Sequence, residues 1–320
     1  MIDVVVLLFL MERERETGRE RYIGRERYIG REREMERESN NNMTLPYSSV
    51  MTRSVWSYNL ESEFEMIRLV IALYPFISMD TKFHGAVFQS HLAFRQPQNN
   101  YTVMKANVDS MHLIQVGLTL SDDNDNLPTF ETSNRFIWEF NFCEFDVTQH
   151  PHAPHSIALL QRQGIDFDKN RRFGLSIVRF AELMMFSGLL CNNNIQWIAF
   201  HSAYDFGYMV KILSQRVFYM QPFLPPNLCD FLQLVKFFFG YKVYDVKHLI
   251  RFCPNLHGGL DKVYESLGLD NSCRRSHHAG SDSLVTLHVF NKIKTLYFHT
   301  EFDLPKHAGV LYGLEIIVAN

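Results

Sequence analysis

The sequence predicts an α/β fold in which one mixed sheet is flanked by helices, and three observations support this prediction. Runs rich in β-forming residues come first in the folded part of the chain. Short strands then alternate with amphipathic helices, an order that is typical of a mixed α/β sheet. Finally, 46% of the 320 residues are hydrophobic and 14% are aromatic, which is enough apolar material for one sizeable core.

The first predicted elements are a helix and three strands. Apolar residues recur at helical spacing from Val55 to Val70, so an amphipathic helix is predicted from about Ser54. The strands that follow are predicted at Tyr74–Met79, His112–Leu120 and Phe136–Phe142. A turn-rich segment separates the last two of them. This arrangement predicts an antiparallel meander.

After residue 157 the pattern changes to helices with two short strands between them. The strands are predicted at Trp197–Phe200 and Lys242–Tyr244. The helices are predicted at Ser156–Gln163, Phe173–Leu190, Tyr204–Leu213, Asn227–Phe239, Val246–Phe252, Gly259–Leu267 and Ser281–Leu296. This alternation completes the expected sheet.

The first 42 residues differ in composition from the rest of the chain. Between Glu12 and Glu38 the hexapeptide RERYIG occurs twice in tandem, and nine arginines nearly balance the acidic residues. Such a segment cannot build a core, and an inert tail is favoured over an RNA-binding arm. We therefore predict a disordered tail over 1–42, a linker over 43–53, one folded domain over 54–315 and a C-terminal end over 316–320.

Charge and cysteine content restrict the classes of function. The net charge of -3 gives no strong basic field, so RNA binding would depend on a local site. Five scattered cysteines without a CxxC pair indicate reduced thiols in an intracellular protein, in the cytoplasm or nucleus. The apolar run Val4–Leu10 is shorter than the roughly 20 residues of a membrane span. No membrane association is expected.

Three aspartates, Asp80, Asp205 and Asp282, lie where an apolar strand or helix meets a turn. Each alone could cap backbone N–H groups. Together they suit two-metal phosphodiester hydrolysis, because two divalent ions about 3.5–4 Å apart need carboxylates from several distant segments. His277, five residues before Asp282, could accept a proton from the attacking water, with His278 as the alternative.

Four segments carry a resemblance to a known family: SMDTKF, FHSAYDFGYMVKIL, YDVKHLIRFCPNLHGGL and HHAGSDSLVT. From about Val55 to about Gly313 the chain resembles the CCR-associated-factor (Pop-type) deadenylases of the DEDD exonuclease superfamily. The resemblance implies an RNase H-like fold and removal of AMP from the 3′ end of poly(A) tails, with two Mg²⁺ ions, or Mn²⁺, held by four acidic residues. It also implies a NOT scaffold subunit and a second deadenylase as partners.

Residue by residue, the resemblance is incomplete at one position. Asp80, Asp205 and Asp282 resemble the first, third and fourth acidic residues of the family, and His277 resembles its general base. The second acidic residue should be a glutamate two positions after Asp80, on the same face of the strand. Lys82 stands there instead, which removes a ligand and adds a cation beside divalent ions.

Lys82 leaves three hypotheses open. The chain is an active deadenylase, a catalytically weakened or inactive paralogue that serves as an interaction subunit, or an RNA-binding protein with one residual metal. Activity would survive if the long lysine stem turned the ammonium toward solvent. His84 also stands where the family usually has proline.

Two other motifs receive structural interpretations. The cluster of His150, His152 and His155 is interpreted as a flexible loop in preference to a zinc site. Asp245 is interpreted as a cap for the helix that follows it.

Overall fold

The computed structural model describes residues 49–88, 96–218, 223–269, 277–300 and 302–315. The predicted tail over 1–42, most of the predicted linker and the predicted C-terminal end lie outside these ranges. The strands are β1 Val50–Val55, β2 Phe76–Phe83, β3 Leu113–Ser121, β4 Arg135–Asn141, β5 Gln196–Ala199 and β6 Val243–Asp245.

The helices, in chain order, are α1 Leu60–Val70, α2 Pro97–Ser110, α3 Pro154–Arg162, α4 Phe167–Phe173, α5 Ile177–Met185, α6 Ala203–Phe218, α7 Leu228–Phe239, α8 Val246–Leu249, α9 Leu260–Ser266 and α10 Ala279–Tyr297. Short 3₁₀ turns follow at Ile250–Phe252 and Leu304–His307. Among the helices that the structure describes, none combines the length and apolar character that crossing a bilayer requires.

The six strands form one mixed sheet in the order β1-β4-β3-β2-β5-β6. Strands β2, β3 and β4 are antiparallel neighbours. Strand β1 runs parallel to β4, and β5 and β6 extend the other side in parallel with β2. The predicted mixed sheet with an antiparallel meander is therefore confirmed, and β3, in the interior of the sheet, is buried along its whole length.

Apolar residues on the two faces of the sheet belong to two core clusters. Ile77 and Met79 of β2 lie in the cluster that also contains residues of α1, α2, α5, α6 and α7. Phe76, with the opposite parity in the strand, lies in the cluster formed with α8, α9 and α10. Alternate residues of β2 thus face different helices, which determines where Asp80 and Lys82 point.

Two elements near the start of the folded part correct the prediction. Strand β1 begins at Val50, inside the predicted linker, and Val55 ends this strand instead of starting a helix. Helix α1 begins only at Leu60. The apolar spacing misled the prediction because β1 has most of its residues partly or fully exposed, so its own pattern is weak.

Two helices also differ from the prediction. Helix α2 was not predicted, because only a few of its residues are buried and its Asn, Thr and Val residues favour helix weakly. The predicted helix Phe173–Leu190 is too long at both ends: α4 ends at Phe173, and α5 runs only from Ile177 to Met185. The Ser176 hydroxyl caps α5 by accepting a hydrogen bond from the Val178 N–H, and this cap marks a new helix start.

Candidate active site

Strand β2 carries Asp80 and Lys82 on one face. The strand extends to Phe83, so Asp80 lies within it and not at its end as predicted. Asp80 and Lys82 have the same parity as Phe76, and both therefore face α10. Across the sheet Asp80 is paired with Gly117 of β3. The side chains of Asp80 and Lys82 thus project from neighbouring positions into the space beside α10.

Helix α10 approaches β3 unusually closely at its first residues. A Cβ atom on Gly117 would lie 1.9 Å from the carbonyl oxygen of Ala279, so only glycine permits this contact. The Ser78 hydroxyl donates to the Ser283 carbonyl at 2.7 Å, and the Thr119 and Ser283 hydroxyls are 2.7 Å apart. These buried contacts fix the first turn of α10, and with it Asp282, above β2.

The Lys82 ammonium lies between two carboxylates. Its Nζ is 2.8 Å from Asp80 Oδ2 and 2.5 Å from Asp282 Oδ2. The Lys82 side chain is only 15% exposed, so the alternative in which the ammonium turns to solvent is wrong. Burial alone would lower the pKa of Lys82, but Asp80 and Asp282 raise this pKa above its ordinary value. The ammonium is therefore charged and fixed by both aspartates.

The carboxyl group of Asp80 is strongly affected by this environment. Burial raises the pKa of Asp80, whereas the Lys82 ammonium, 2.8 Å from its Oδ2, acts in the opposite direction and favours the ion pair. The negative charges of Asp282 and Asp205 also raise this pKa. The site therefore holds more acidic groups than one ammonium neutralises.

Asp205 reaches β2 from the other side. It lies in the first turn of α6, and its Oδ1 accepts hydrogen bonds from the Thr81 N–H at 2.8 Å and the Thr81 hydroxyl at 2.6 Å. Burial raises the pKa of Asp205 to about 6, and the Thr81 hydrogen bonds oppose that change. Asp205 thus binds the backbone of β2 instead of capping its own helix, and one of its oxygens is already occupied.

The two neighbouring histidines have different surroundings. His277 Nδ1 is 4.0 Å from Asp282 Oδ1, and the His277 side chain is 45% exposed. His278 turns away: its Nδ1 is 3.4 Å from Glu139 Oε2 and its Nε2 is 2.9 Å from the Gln163 carbonyl oxygen. The Glu139 carboxylate raises the pKa of His278. His277 is therefore the histidine that lies beside the acidic residues.

The residues predicted for the site, Asp80, Asp205, His277 and Asp282, lie near one another, but the Lys82 ammonium occupies the place of a metal ion. Mg²⁺ lies about 2.0–2.1 Å from its oxygen ligands, so an ion on either Lys82-bound oxygen would lie within about 5 Å of Nζ. Repulsion between charges of +2 and +1 at that distance is about 7 kcal/mol at an effective dielectric constant of 20. Within the described ranges, no group of three or more His, Cys, Asp or Glu residues is arranged to hold a metal ion. The residues present do not fit the two-ion centre that the resemblance implies.

Asp245 contributes to the site through the loop before α6. As predicted, it caps α8 by accepting a hydrogen bond from the Lys247 N–H at 2.9 Å. It also accepts from the N–H groups of His201, Ser202 and Tyr312 at 2.9–3.0 Å, and from the Ser202 hydroxyl at 2.8 Å. His201 has a φ of 59°, so Asp245 stabilises a left-handed residue just before Asp205. Only the cap was foreseeable from the sequence.

His84 belongs to a buried aromatic cluster near the end of β2. Its ring stacks on Phe145 at 4.4 Å between centroids, and its Nε2 accepts a hydrogen bond from the His112 N–H at 2.8 Å. The His112 ring lies 4.3 Å from that of His150. Burial lowers the pKa of His84 to about 3 and that of His112 to about 4. The imidazoles of His84 and His112 are therefore neutral, and His84, which stands where the family usually has proline, is held by packing and one hydrogen bond.

The predicted histidine motif lies in an irregular segment ahead of α3. His150 and His152 lie near Phe145, whereas His155 is exposed at the start of α3. His150 Nδ1 accepts a hydrogen bond from the Asp146 N–H at 3.0 Å. The three imidazoles do not converge, and the loop interpretation is preferable to a zinc site.

Comparisons of the sequence with known proteins identify relatives over most of the chain. A model of the CAF1 family ribonuclease matches residues 55–187. The probable CCR4-associated factor 1 homolog 10 of Arabidopsis thaliana is 46% identical over 274 residues, which are 85% of this chain and 95% of the relative. The poly(A) ribonuclease pop2 of Schizosaccharomyces pombe is 37% identical over 263 residues, 82% of this chain and 74% of the relative.

Solved structures of such relatives have the same fold. The Mg²⁺- and Mn²⁺-bound form of S. pombe Pop2p matches with a TM-score of 0.73 and 37% identity, over 82% of this chain and 99% of that one. A chain in the structure of the yeast NOT1 MIF4G domain co-crystallised with CAF1 matches with a TM-score of 0.66 and 32% identity, over 84% and 100%. The expected RNase H-like fold is thereby confirmed, and the chain belongs to the CAF1 family of ribonucleases.

Proposed function

We propose that this chain serves in the shortening of messenger poly(A) tails as a CAF1-type subunit docked on a NOT scaffold, with its own exoribonuclease site silenced by Lys82. Membership of the CAF1 family supports the poly(A) role. The structure of yeast NOT1 with CAF1 supports the scaffold as a partner. The observation that carries the silencing is the position of the Lys82 Nζ, 2.8 Å from Asp80 and 2.5 Å from Asp282.

The physical reason is that this ammonium engages two of the three remaining acidic residues. Both carboxylates form ion pairs with Lys82, and Asp205 is bound to Thr81. The groups that would hold Mg²⁺ or Mn²⁺ therefore bind to the protein itself. We expect docking on the scaffold and on a second deadenylase to be independent of the side chains at this site. We place this subunit in the cytoplasm and nucleus, where poly(A) tails are found.

An active deadenylase that releases AMP is the second candidate. It is favoured by the convergence of Asp205 and Asp282 around Asp80, and by His277 at 4.0 Å from Asp282. His277 is partly exposed and could accept a proton from an attacking water. This candidate requires the Lys82 ammonium to leave both carboxylates, because a divalent ion cannot share their oxygens with it.

Tail shortening distinguishes the two candidates. Four proteins are incubated with end-labelled oligo(A) RNA and Mg²⁺ or Mn²⁺: the full natural chain, Asp205→Ala, Lys82→Glu, and Lys82→Glu combined with Asp205→Ala. We expect no stepwise shortening by the natural chain, a rate at least on the order of 100-fold higher for Lys82→Glu, and none for the double variant. Shortening by the natural chain that Asp205→Ala abolishes would instead establish the active enzyme.

Docking is tested separately from catalysis. The natural chain and Lys82→Glu are titrated against the MIF4G domain of a NOT1-type scaffold and against oligo(A) RNA in EDTA. Equal scaffold affinity for the two proteins is expected, because the Lys82 side chain is only 15% exposed and contacts Asp80 and Asp282. Failure of the natural chain to bind the scaffold would reject the subunit role whatever the nuclease assay shows.

A further inference from the structure

The Lys82 ammonium is shared by two carboxylates that are largely shielded from solvent. Asp80 on β2 and Asp282 on α10 are 202 positions apart in sequence, yet their Oδ2 atoms contact the same ammonium. Each of the three side chains is no more than 21% exposed. Two such carboxylates without a counter-charge would repel each other and destabilise the contact between β2 and α10.

Among the described residues the other polar neighbours offer less counter-charge than Lys82. His277 Nδ1 is 4.0 Å from Asp282 Oδ1, on a side chain that is 45% exposed. Gln115 is the cross-strand partner of Lys82, but its Nε2 donates to Asn141 Oδ1 at 2.7 Å and its Oε1 accepts from the Ala279 N–H at 3.4 Å. His278 is paired with Glu139. The charge on Asp80 and Asp282 is therefore compensated chiefly by Lys82.

We infer that Lys82 is a built-in counter-ion: its ammonium takes the place of a divalent cation between Asp80 and Asp282, so that the folded chain is stable without metal. The inference rests on the proposed silenced site and states what the substitution gives the protein. A glutamate at position 82 would add a fourth carboxylate to three others and would make the same fold depend on bound cations. With lysine at this position, the contact between β2 and α10 needs no bound cation.

The inference predicts how stability responds to metal. Thermal unfolding of the full natural chain, Lys82→Glu and Lys82→Met is compared in EDTA and in millimolar Mn²⁺. We expect the melting temperature of the natural chain to change by less than about 1 °C, and that of each variant to rise by about 5 °C with Mn²⁺. A rise for the natural chain as large as that for Lys82→Glu would overturn the inference.

A matched control separates the site from a general effect of removing a lysine. Lys105 forms an ion pair with Asp109 one turn further along α2 and donates to the Leu224 carbonyl at 2.8 Å. Lys105→Met should lower the melting temperature without making it respond to Mn²⁺. A Mn²⁺ response in Lys105→Met equal to that in Lys82→Met would show that metal acts elsewhere, and the inference would fail.

A direct measurement of Mn²⁺ binding tests the inference even if the variants at Lys82 do not fold. Free Mn²⁺ is counted by electron paramagnetic resonance in the presence of the natural chain and of Asp282→Asn. Equal, weak binding by these two proteins supports the built-in counter-ion, whereas a Mn²⁺ ion that is bound by the natural chain and lost in Asp282→Asn overturns it. If the natural chain binds such an ion but does not shorten tails, the further inference fails and the proposed silenced subunit stands. If the natural chain does not bind the scaffold, the proposed function fails, and the Mn²⁺ measurement still decides the further inference.

Discussion

The carboxylates of this protein are stabilised in two different ways, at Asp245 and at the pair Asp80 and Asp282. Asp245 accepts hydrogen bonds from the backbone or hydroxyl groups of Lys247, His201, Ser202 and Tyr312. Asp80 and Asp282 instead share a single ammonium. Asp245 is held by several neutral donors, so no single side-chain substitution removes all its partners. Asp80 and Asp282 depend on one cationic side chain, and one substitution removes it.

The largest expected effect is at the first of these sites. Asp245→Ala leaves five buried or partly buried donors without their acceptor, so we expect the free energy of unfolding to fall by about 4 kcal/mol or more. Urea denaturation measures this change. Asp168→Ala, at a side chain that is 82% exposed, is the control and should change stability by less than about 0.5 kcal/mol. Similar stability of the two variants would show that the donors find water instead.

The second prediction concerns the ammonium. In EDTA, Lys82→Met should destabilise the fold by about 3 kcal/mol, because it leaves Asp80 and Asp282 without a counter-charge. Urea denaturation in parallel with Asp245→Ala compares the two modes of neutralisation. If Lys82→Met proves as stable as the natural chain, the aspartates are neutralised by protonation, and the ion pairs contribute little to stability.

The close contact between Gly117 of β3 and Ala279 of α10 predicts a smaller loss of stability. Gly117→Ala places a methyl group 1.9 Å from the Ala279 carbonyl oxygen, so α10 must shift, at a cost of about 2 kcal/mol. In the Lys82→Glu background we also expect any tail-shortening activity to fall, because Asp282 moves with α10. Gly259→Ala is the matched control, since a Cβ there meets nothing within 4 Å. Equal stability of both variants would show that the close approach is relieved without cost.

The buried imidazoles of His84 and His112 predict that the free energy of unfolding changes gradually with pH. Burial lowers the pKa of His84 to about 3 and of His112 to about 4, whereas both have ordinary values near 6.5 when unfolded. Between these limits the unfolded chain binds more protons, so stability falls as the pH is lowered from about 7 to about 5. His84→Gln should flatten this fall by about 1 kcal/mol, as measured by urea denaturation at each pH.

The exposed His155 provides the control for the pH series. His155→Gln should retain the full decline in stability. An unchanged pH profile in His84→Gln would mean that the cluster opens to admit protons before the domain unfolds.

The sequence predicted those parts of the fold whose signals are local. The strands of the meander and most helices after residue 157 were predicted from their period and composition, and the cap at Asp245 from its position before a helix. Strand β1 and helix α2 were missed because their local signals are weak: β1 is mostly exposed, and α2 buries few residues. Lys82 left two orientations open because its second partner, Asp282, lies 200 positions away. Gly117 gave no signal, because its role exists only where α10 meets β3.

The ion pairs at Lys82 also bear on how the protein could change over generations. Lysine codons differ from glutamate codons by a single base at the first position. If the ammonium silences the site as proposed, one transition separates this chain from a family member with all four carboxylates. The contacts that fix α10 above β2, at Gly117 and at the buried hydroxyls of Ser78, Thr119 and Ser283, would not have to change with it.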